Sequence, residues 1–397
     1  MRSAVSLPRG PVDLKKAIKT DPRRFFSDEE VAKSKSYQRP LQYARLAGSA
    51  VSLAFLLAFI TFGVAGKAID AVGANSWPLQ LLVVMFTFVL ASEIVSMPIS
   101  IWAEFGHEKK WGFSTQTPGT FVGDQLKGLL IGGVILSILF IPLWALIRST
   151  ELWWLLGAGV FMLFSVVLAF LFPIVILPMF NKFTPLDREE LKAKLASLAT
   201  AGGVSISDYL VMDASKRTKK DNAFFAGLGK TRRVVVYDNL LQMPEENVEV
   251  VVAHEIGHWR RGHIKKQMVI GIFSSILLFL GVHLLTRPGS ALLDWAGVST
   301  LRDPQAFPLV LLIFGAITLV TRYFSAWVSR WFEREADLDA LELTGNPAAY
   351  TSLWKNMSSR NLPDLDPSAW ERMKASHPPI AERMAFADEW EKARGAS

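Results

Sequence analysis

The stretch Val-Val-Ala-His-Glu-Ile-Gly-His-Trp at residues 251–259 holds the side chains best suited to chemistry. If it is helical, His254 and His258 lie four residues apart on one face, where two imidazole nitrogens can hold one zinc ion. Glu255, beside the first ligand, reaches a water on that metal and can take its proton, as metal-assisted hydrolysis requires. One Zn2+ per chain is the cofactor expected. The plainer alternative is an amphipathic helix whose histidines only hydrogen-bond at a surface.

A catalytic zinc takes three protein ligands and leaves its fourth place to water, so one more donor is needed. Among the remaining histidines, His263 falls five residues after His258 and so faces away from it. His107 lies in a short basic loop, and His283 falls inside an apolar run, placed to make a hydrogen bond. Carboxylates are the better source. Arg-Trp-Phe-Glu-Arg-Glu-Ala-Asp at 330–337 puts Glu333 and Asp337 on one helical face. A glutamate there can bind zinc while the aspartate one turn on takes the second ring proton of a ligand histidine. The competing reading is a solvated, charged helix end.

The elements that must position these residues are mostly membrane helices. Of 397 residues, 51% are hydrophobic, and the mean hydropathy of +0.28 points to a polytopic membrane protein. Stretches free of Asp, Glu, Lys and Arg run over 46–66, 71–92, 128–147, 152–181, 267–286 and 304–321. Each crosses or nearly crosses a hydrocarbon core about 30 Å thick, which predicts six transmembrane helices. Cysteine is absent, so disulfides, thiolate metal sites and cysteine nucleophiles are excluded.

The first 45 residues carry eleven Lys and Arg against five Asp and Glu, so +6 of the chain's +7 sits in this arm. No base-stacking or groove-reading pattern accompanies the charge, so the expected partner is an anionic lipid surface and not nucleic acid. The loops after spans one, three and five carry few basic residues, whereas fifteen Lys and Arg fall between Lys182 and Lys266. By the positive-inside rule both termini and this large loop are cytoplasmic, at an inner membrane in a bacterium or the endoplasmic reticulum in a eukaryote. Glu93 interrupts the second span and marks a polar cavity or an interhelical hydrogen bond. Pro98, Pro142, Pro173 and Pro178 should kink or end their helices, giving a splayed bundle able to enclose a chamber.

Outside the spans, Ser27-Asp-Glu-Glu30 reads as a capping box that opens a short helix and a helical elbow at the membrane surface. Thr184-Pro185-Leu186-Asp187 should start a helix whose apolar face is Leu191, Leu195 and Leu198. Residues 208–213 and 232–238 read as strands around a turn near 227–229, with Asn222, Ala223, Phe224 and Phe225 as a further strand. A small sheet beside a metal helix offers an extended peptide a place to add as a strand; the plainer reading is a hairpin that only packs. Residues 246–259 read as the metal helix. The expected organisation is a basic arm (1–45), four spans (46–181), a protease domain (182–266), two spans (267–330) and a C-terminal helical segment with the third ligand (331–397). The fold class is thus an all-α polytopic membrane protein of about six transmembrane helices with a cytoplasmic-side zinc metalloprotease domain containing a small β-sheet.

Several motifs together resemble the type I CAAX prenyl protease family over nearly the whole chain from about Phe26. They are Trp-Gly-Phe-Ser-Thr-Gln-Thr at 111–117, Lys-Phe-Thr-Pro-Leu at 182–186, and Ser-Lys-Arg at 215–217 leading to Asn-Ala-Phe-Phe-Ala-Gly at 222–227. The set continues with His254 to His258, Gly262-His263, Glu-Arg-Glu-Ala-Asp at 333–337, Ser-His-Pro-Pro at 376–379 and Arg383. The resemblance implies that Glu333, not Glu335, is the third ligand, that Asn222 and Ala223 sit on the strand that pairs with substrate, with Phe224 beside them, and that His377 and Arg383 line the site. Read alone, His377 and Arg383 flank a helix start and could donate to an oxyanion or a substrate carboxylate. Their plainer reading is a helix cap and a surface arginine. The eukaryotic members carry a further N-terminal membrane helix, in whose place this chain has its basic arm.

The expected function is that of a zinc-dependent membrane endopeptidase acting on membrane-bound or lipid-modified polypeptides. The resemblance implies cleavage after a prenylated cysteine at a CAAX terminus, with an apolar chamber for the lipid. A quality-control protease with no prenyl requirement is the alternative. A transporter or channel with Glu93, His254, His258 and Glu333 along an ion path is a remote one, since such a path needs no base beside a ligand histidine. Nothing in the sequence sets an oligomeric state.

Overall fold

The computed structural model describes residues 19–227 and 232–395. Ser27 and Glu30 form the expected capping box, but the helix they open, α1, runs unbroken over Asp28–Thr61 through Pro40. The short helix and surface elbow are therefore the first turns of the first span. Val31, Ser34 and Tyr37 are buried against later parts of the chain, and this packing helps carry the helix unbroken past a proline that removes only one donor. Residues 1–18, the outer part of the basic arm, lie outside the described residues.

After the short α2 (Val64–Val72), α3 (Trp77–Ser100) widens into π-helical turns at Ile101–His107 and ends in the single turn α4 (Glu108–Lys110). α5 (Pro118–Ser149) and α6 (Trp153–Leu171) follow, and α6 also widens, at Phe172–Ile176. Pro98 and Pro173 thus sit where a helix loosens, Pro178 lies in the final 3-10 turn, and Pro142 passes without a break. The remaining spans are α9 (His263–Leu285) and, beyond the short α10 (Ala291–Trp295), the 38-residue α11 (Phe307–Thr344).

Among the described residues, six helices are long and apolar enough to cross a membrane. Large apolar side chains face outward along them, such as Leu130, Phe273 and Val320, a surface suited to lipid and costly in water. Neighbouring spans pair as α1–α3, α3–α5, α5–α6, α6–α9, α9–α11 and α11–α1, so the six close into a ring.

Between α6 and α9 lies a four-stranded sheet of order β1-β2-β4-β3, with β1 (Phe183–Pro185), β2 (Asp208–Met212), β3 (Ala223–Ala226) and β4 (Arg233–Tyr237). β2 and β4 are parallel; β1 and β3 are the antiparallel edges. The helix expected from Thr184 instead begins at Glu189 (α7, Glu189–Ala201), because Thr184 and Pro185 belong to β1. A residue before proline is driven to extended backbone, and an edge strand accommodates the missing N–H. The turn expected at 227–229 falls partly outside the described residues.

The start of β3 is tied down from several sides. Asp221 is buried and takes a two-pronged bond from Arg360, at 2.5 and 3.0 Å. Lys220 bonds Glu108 at 2.7 Å and Tyr37 Oη at 2.7 Å, linking α4 and α1. Arg217 clamps Asp124 of α5 at 2.7 and 3.1 Å. The edge strand is therefore fixed to the membrane helices as well as to the sheet.

α8 (Glu245–Arg260) carries the His-Glu-x-x-His stretch, and α12 (Pro347–Asn361), α13 (Ala369–Lys374) and α14 (Ile380–Gly395) complete the fold. One apolar core joins α7, α8 and the sheet to the lower half of α11, α12 and α14, with Leu195, Val252, Ile256, Leu338 and Tyr350 at its centre. A separate core fills the ring at its other end. α8 lies on α11 at Gly257, where an added Cβ would fall 3.0 Å from the Cα and O of Ala336 and the Cβ of Asp339. Two of these three atoms are backbone and the third, a Cβ, is fixed by it, so none can rotate aside. Gly257→Ala is expected to push the helices apart, destabilising the protein by about 1–3 kcal/mol and lowering its metal affinity, which thermal unfolding and metal titration in detergent check.

Candidate metal centre

α8 forms because Glu245 and Glu246 favour its first turn and because Val248, Val252, Ala253 and Ile256 give it a buried face. That face places His254 and His258 towards α11. His254 Nε2 lies 3.2 Å from His258 Nε2 and 3.2 Å from Glu333 Oε2, while His258 Nε2 lies 3.4 Å from Glu333 Oε1. The three residues offer ligand atoms all within 4.8 Å of one another. Three lone-pair carriers at such spacing repel unless a proton or a cation lies among them. Glu333 Oε2 is buried and makes no well-formed hydrogen bond, although His254 is near. Two imidazoles and a carboxylate therefore fit a metal ion held by three protein ligands.

The surroundings fix these ligands. His254 Nδ1 is 3.0 Å from Asp337 Oδ1, one turn after Glu333, which leaves Nε2 for the centre. Burial alone would lower the His254 pKa, but its bonds to Asp337 and Glu333 outweigh this and raise it to about 9. A metal must then displace a tightly held proton, so binding releases one. Asp337 is itself clamped by Arg383, with Nε 2.8 Å from Oδ2 and Nη2 closer still to Oδ1. Arg383 is only 5% exposed, its guanidinium 3.6 Å from the Trp354 ring centre, so it is no surface arginine. Its Nη2 lies 3.8 Å from Glu333 Oε2.

His377 brings Nε2 to 3.4 Å from Glu333 Oε1 while its side chain stays 60% exposed, and its Nδ1 meets Ser376 Oγ at 2.8 Å. Glu255, next to His254 on α8, lines a cavity of about 810 Å³ shared with His254, Asn222, Ala223, His377 and Arg383. Burial pushes the Glu255 carboxyl above the usual carboxylate range, against the pull of His254 and His258. The cavity also reaches α1 at Gln42 and Leu46 and α11 at Arg322.

The register of β3 decides what it presents to that cavity. Tyr237 N–H donates to Asn222 C=O, and pairing alternates along an antiparallel ladder, so Phe224 faces β4 while Ala223 and Phe225 turn their backbone to the open edge. Ala223 N–H is met by its neighbour Asn222 Oδ1 at 2.9 Å. Phe224 sends its side chain to the far face, against Tyr237, and does not line the cavity.

Glu335 lies apart from the ligand cluster, 2.8 Å from His263. Other residues fall where the sequence did not place them. His263 does not face away from His258: its Nδ1 is 2.8 Å from His258 Nδ1. The helix is not continuous there, because Gly262 takes φ +65 and starts α9 on a new axis. His107 lies in the π-helical segment, buried, with Nε2 3.0 Å from Tyr37 O. His283 packs against the rings of Trp153 and Trp154. Glu93 makes no interhelical hydrogen bond among the described residues and does not line the 810 Å³ cavity. His263 and Trp354 are the contributors that local spacing could not reveal.

A ring of membrane helices over a buried metal-ligand cluster with an adjacent carboxylate defines the class as a multi-pass membrane metallopeptidase. Residues 185–391 match the model of peptidase family M48, and residues 12–182 match that of the CAAX prenyl protease N-terminal region with five membrane helices. The chain belongs to family M48, and within it to the type I CAAX prenyl protease family. Four of the described spans fall within the region matched to the five-helix model. CAAX prenyl protease 1 of Saccharomyces cerevisiae is 29% identical, with 91% of this chain and 86% of that protein covered. An uncharacterized metalloprotease of Bacillus subtilis, YhfN, is 27% identical over 95% of this chain and 90% of its own. The crystal structure of S. mikatae Ste24p superposes with a TM-score of 0.80 at 26% identity, covering 94% of this chain and 92% of that one.

Asp337→Ala would leave the Arg383 charge buried without its partner, and the expected loss of stability is about 3–5 kcal/mol, read as a fall in the thermal midpoint of the purified protein. The same variant frees the His254 ring, so its metal affinity is expected to drop by about 10–100-fold, measured by competition with a chelator.

Proposed function

We propose that this metalloendopeptidase is zinc-dependent and cleaves membrane-bound polypeptides at a lipid-modified terminus, after a prenylated cysteine. The observation that carries the reading is the convergence of His254, His258 and Glu333 beside Glu255, at the wall of a cavity that runs on to membrane helices α1 and α11. Two imidazoles, one carboxylate and no thiolate suit zinc with an open fourth place. Held by these three residues, zinc would supply a Lewis acid that polarises the scissile carbonyl and makes a bound water more acidic. Glu255 takes the proton from water and returns it to the leaving amine, and its raised pKa suits both halves of that task. His377, exposed into the cavity near Glu333, is placed to donate to the developing oxyanion. Arg383 bears on the site through Asp337 and His254, holding the ligand ring.

The substrate lies along the free edge of β3. The outward backbone of Ala223 and Phe225 offers one strand's worth of main-chain pairing beside Glu255, which positions a peptide with little regard to its side chains. The relatives named as CAAX prenyl proteases, and the reach of the cavity past Leu46 to the membrane helices, support a lipid-bearing substrate. The distribution of basic residues supports a cytoplasmic position for both termini, the sheet and the metal centre.

Glu255→Gln is expected to keep one zinc per chain while cleavage falls by about 10²–10⁴-fold, measured by metal analysis and peptide turnover; wild-type turnover would remove Glu255 as the base. Ala223→Pro, tolerated on a free edge, removes a main-chain donor and is expected to raise KM about tenfold with metal content unchanged. A farnesylated CAAX peptide should be cut far faster than its unprenylated twin. Equal rates would favour a quality-control protease that does not read the lipid.

A further inference from the structure

His258 gives one ring nitrogen to the metal centre, and its other, Nδ1, lies 2.8 Å from His263 Nδ1. His263 Nε2 in turn lies 2.8 Å from Glu335 Oε2. The His263 ring is 2% exposed and stacked on Phe332, with centroids 4.3 Å apart and planes at 10°. Lys266 Nζ, 3.3 Å from the same carboxylate oxygen, and Arg261, 4.0 Å from Oε1, supply the positive charge that Glu335 needs. His263 can therefore stay neutral.

The proton positions then follow. A carboxylate only accepts, so the His263 proton sits on Nε2 and its Nδ1 is a bare lone pair. The hydrogen between the two Nδ1 atoms must belong to His258. A neutral His258 protonated at Nδ1 has a free lone pair at Nε2, the atom that faces His254 and Glu333. A cationic His263 would reverse this and leave the proton of a neutral His258 on its ligand nitrogen.

We propose that His263, anchored by Glu335, is the positioning residue that fixes the tautomer and ring orientation of His258 for the metal. It does for the second ligand histidine, through one intermediary, what Asp337 does directly for the first. Glu333, Glu335 and Asp337 thus share the work along one stretch of α11: a ligand, the anchor behind His258 and the partner of His254. Because His263 opens α9, the metal centre is also tied to the fifth span. The proposal rests on the reading of His254, His258 and Glu333 as the metal site.

The test compares zinc dissociation constants, by chelator competition on the full chain in detergent, for wild type, His258→Ala, His263→Asn and His263→Gln. The Asn carbonyl takes the place of Nδ1 and can accept from His258, whereas the Gln amide takes the place of Nε2 and cannot. His263→Asn is expected to stay within about threefold of wild type and His263→Gln to weaken zinc by about 10–100-fold. Thermal midpoints of the metal-free proteins should be similar, and the cobalt-substituted Gln variant should show altered visible bands. Gln binding zinc as tightly as Asn, or Asn binding as weakly as Gln, would overturn the proposal. Tight zinc binding by His258→Ala, or none by wild type, would overturn the metal site and this proposal with it.

Discussion

The backbone-to-backbone approach of α8 and α11 at Gly257 and Ala336 is the contact on which the catalytic half depends. One helix carries two of the proposed ligands and the other carries the third, and neither has the set alone. A glycine at the crossing lets the axes come close enough for imidazole and carboxylate atoms to meet within 4.8 Å. The same crossing lays Asp339 beside Arg261, bonded at 2.7 and 2.9 Å, which pins the C-terminal end of α8. Function and packing here share one surface, so a change that loosens the helices loosens the metal site.

That surface buries an unusual density of acid: Glu333, Glu335, Asp337 and Asp339 are all largely hidden on α11. Buried carboxylates are tolerated only when each has a cationic or hydrogen-bonding partner. Asp337 has Arg383, Asp339 has Arg261, and Glu335 has His263 with Lys266. Glu333 is the member whose partners are His254 and His258, the proposed ligand histidines, which is why a cation would complete the set. The membrane ring contributes by fixing the direction of α11, whose upper half is a span and whose lower half is the floor of the site.

Much of this was legible in the sequence because it is local. Charge-free runs mark the spans, a spacing of four puts His254 with His258 and Glu333 with Asp337, and short runs of β-branched or aromatic residues mark β2 and β4. The rest arises from contacts between distant residues or from breaks in periodicity. Thr184 and Pro185 read as a helix start until strand pairing with β2 claims them. Arg383 reads as a surface residue until Trp354 and Asp337 enclose it, more than 25 and 45 residues away in the chain. His263 reads as facing away only if the helix continues, and Gly262, visible in the sequence, was the signal that it does not. Phe224 belongs to the expected strand, yet a period of two turns it from the cavity that Ala223 lines.

The account's central claim is that one metal ion joins α8 to α11. Anomalous diffraction from crystals of the zinc-loaded protein, collected on both sides of the zinc absorption edge, tests it most directly. The account predicts a single strong peak per chain within about 2.0–2.2 Å of His254 Nε2, His258 Nε2 and a Glu333 oxygen. A peak elsewhere, or one bonded to Glu335 in place of Glu333, would contradict it.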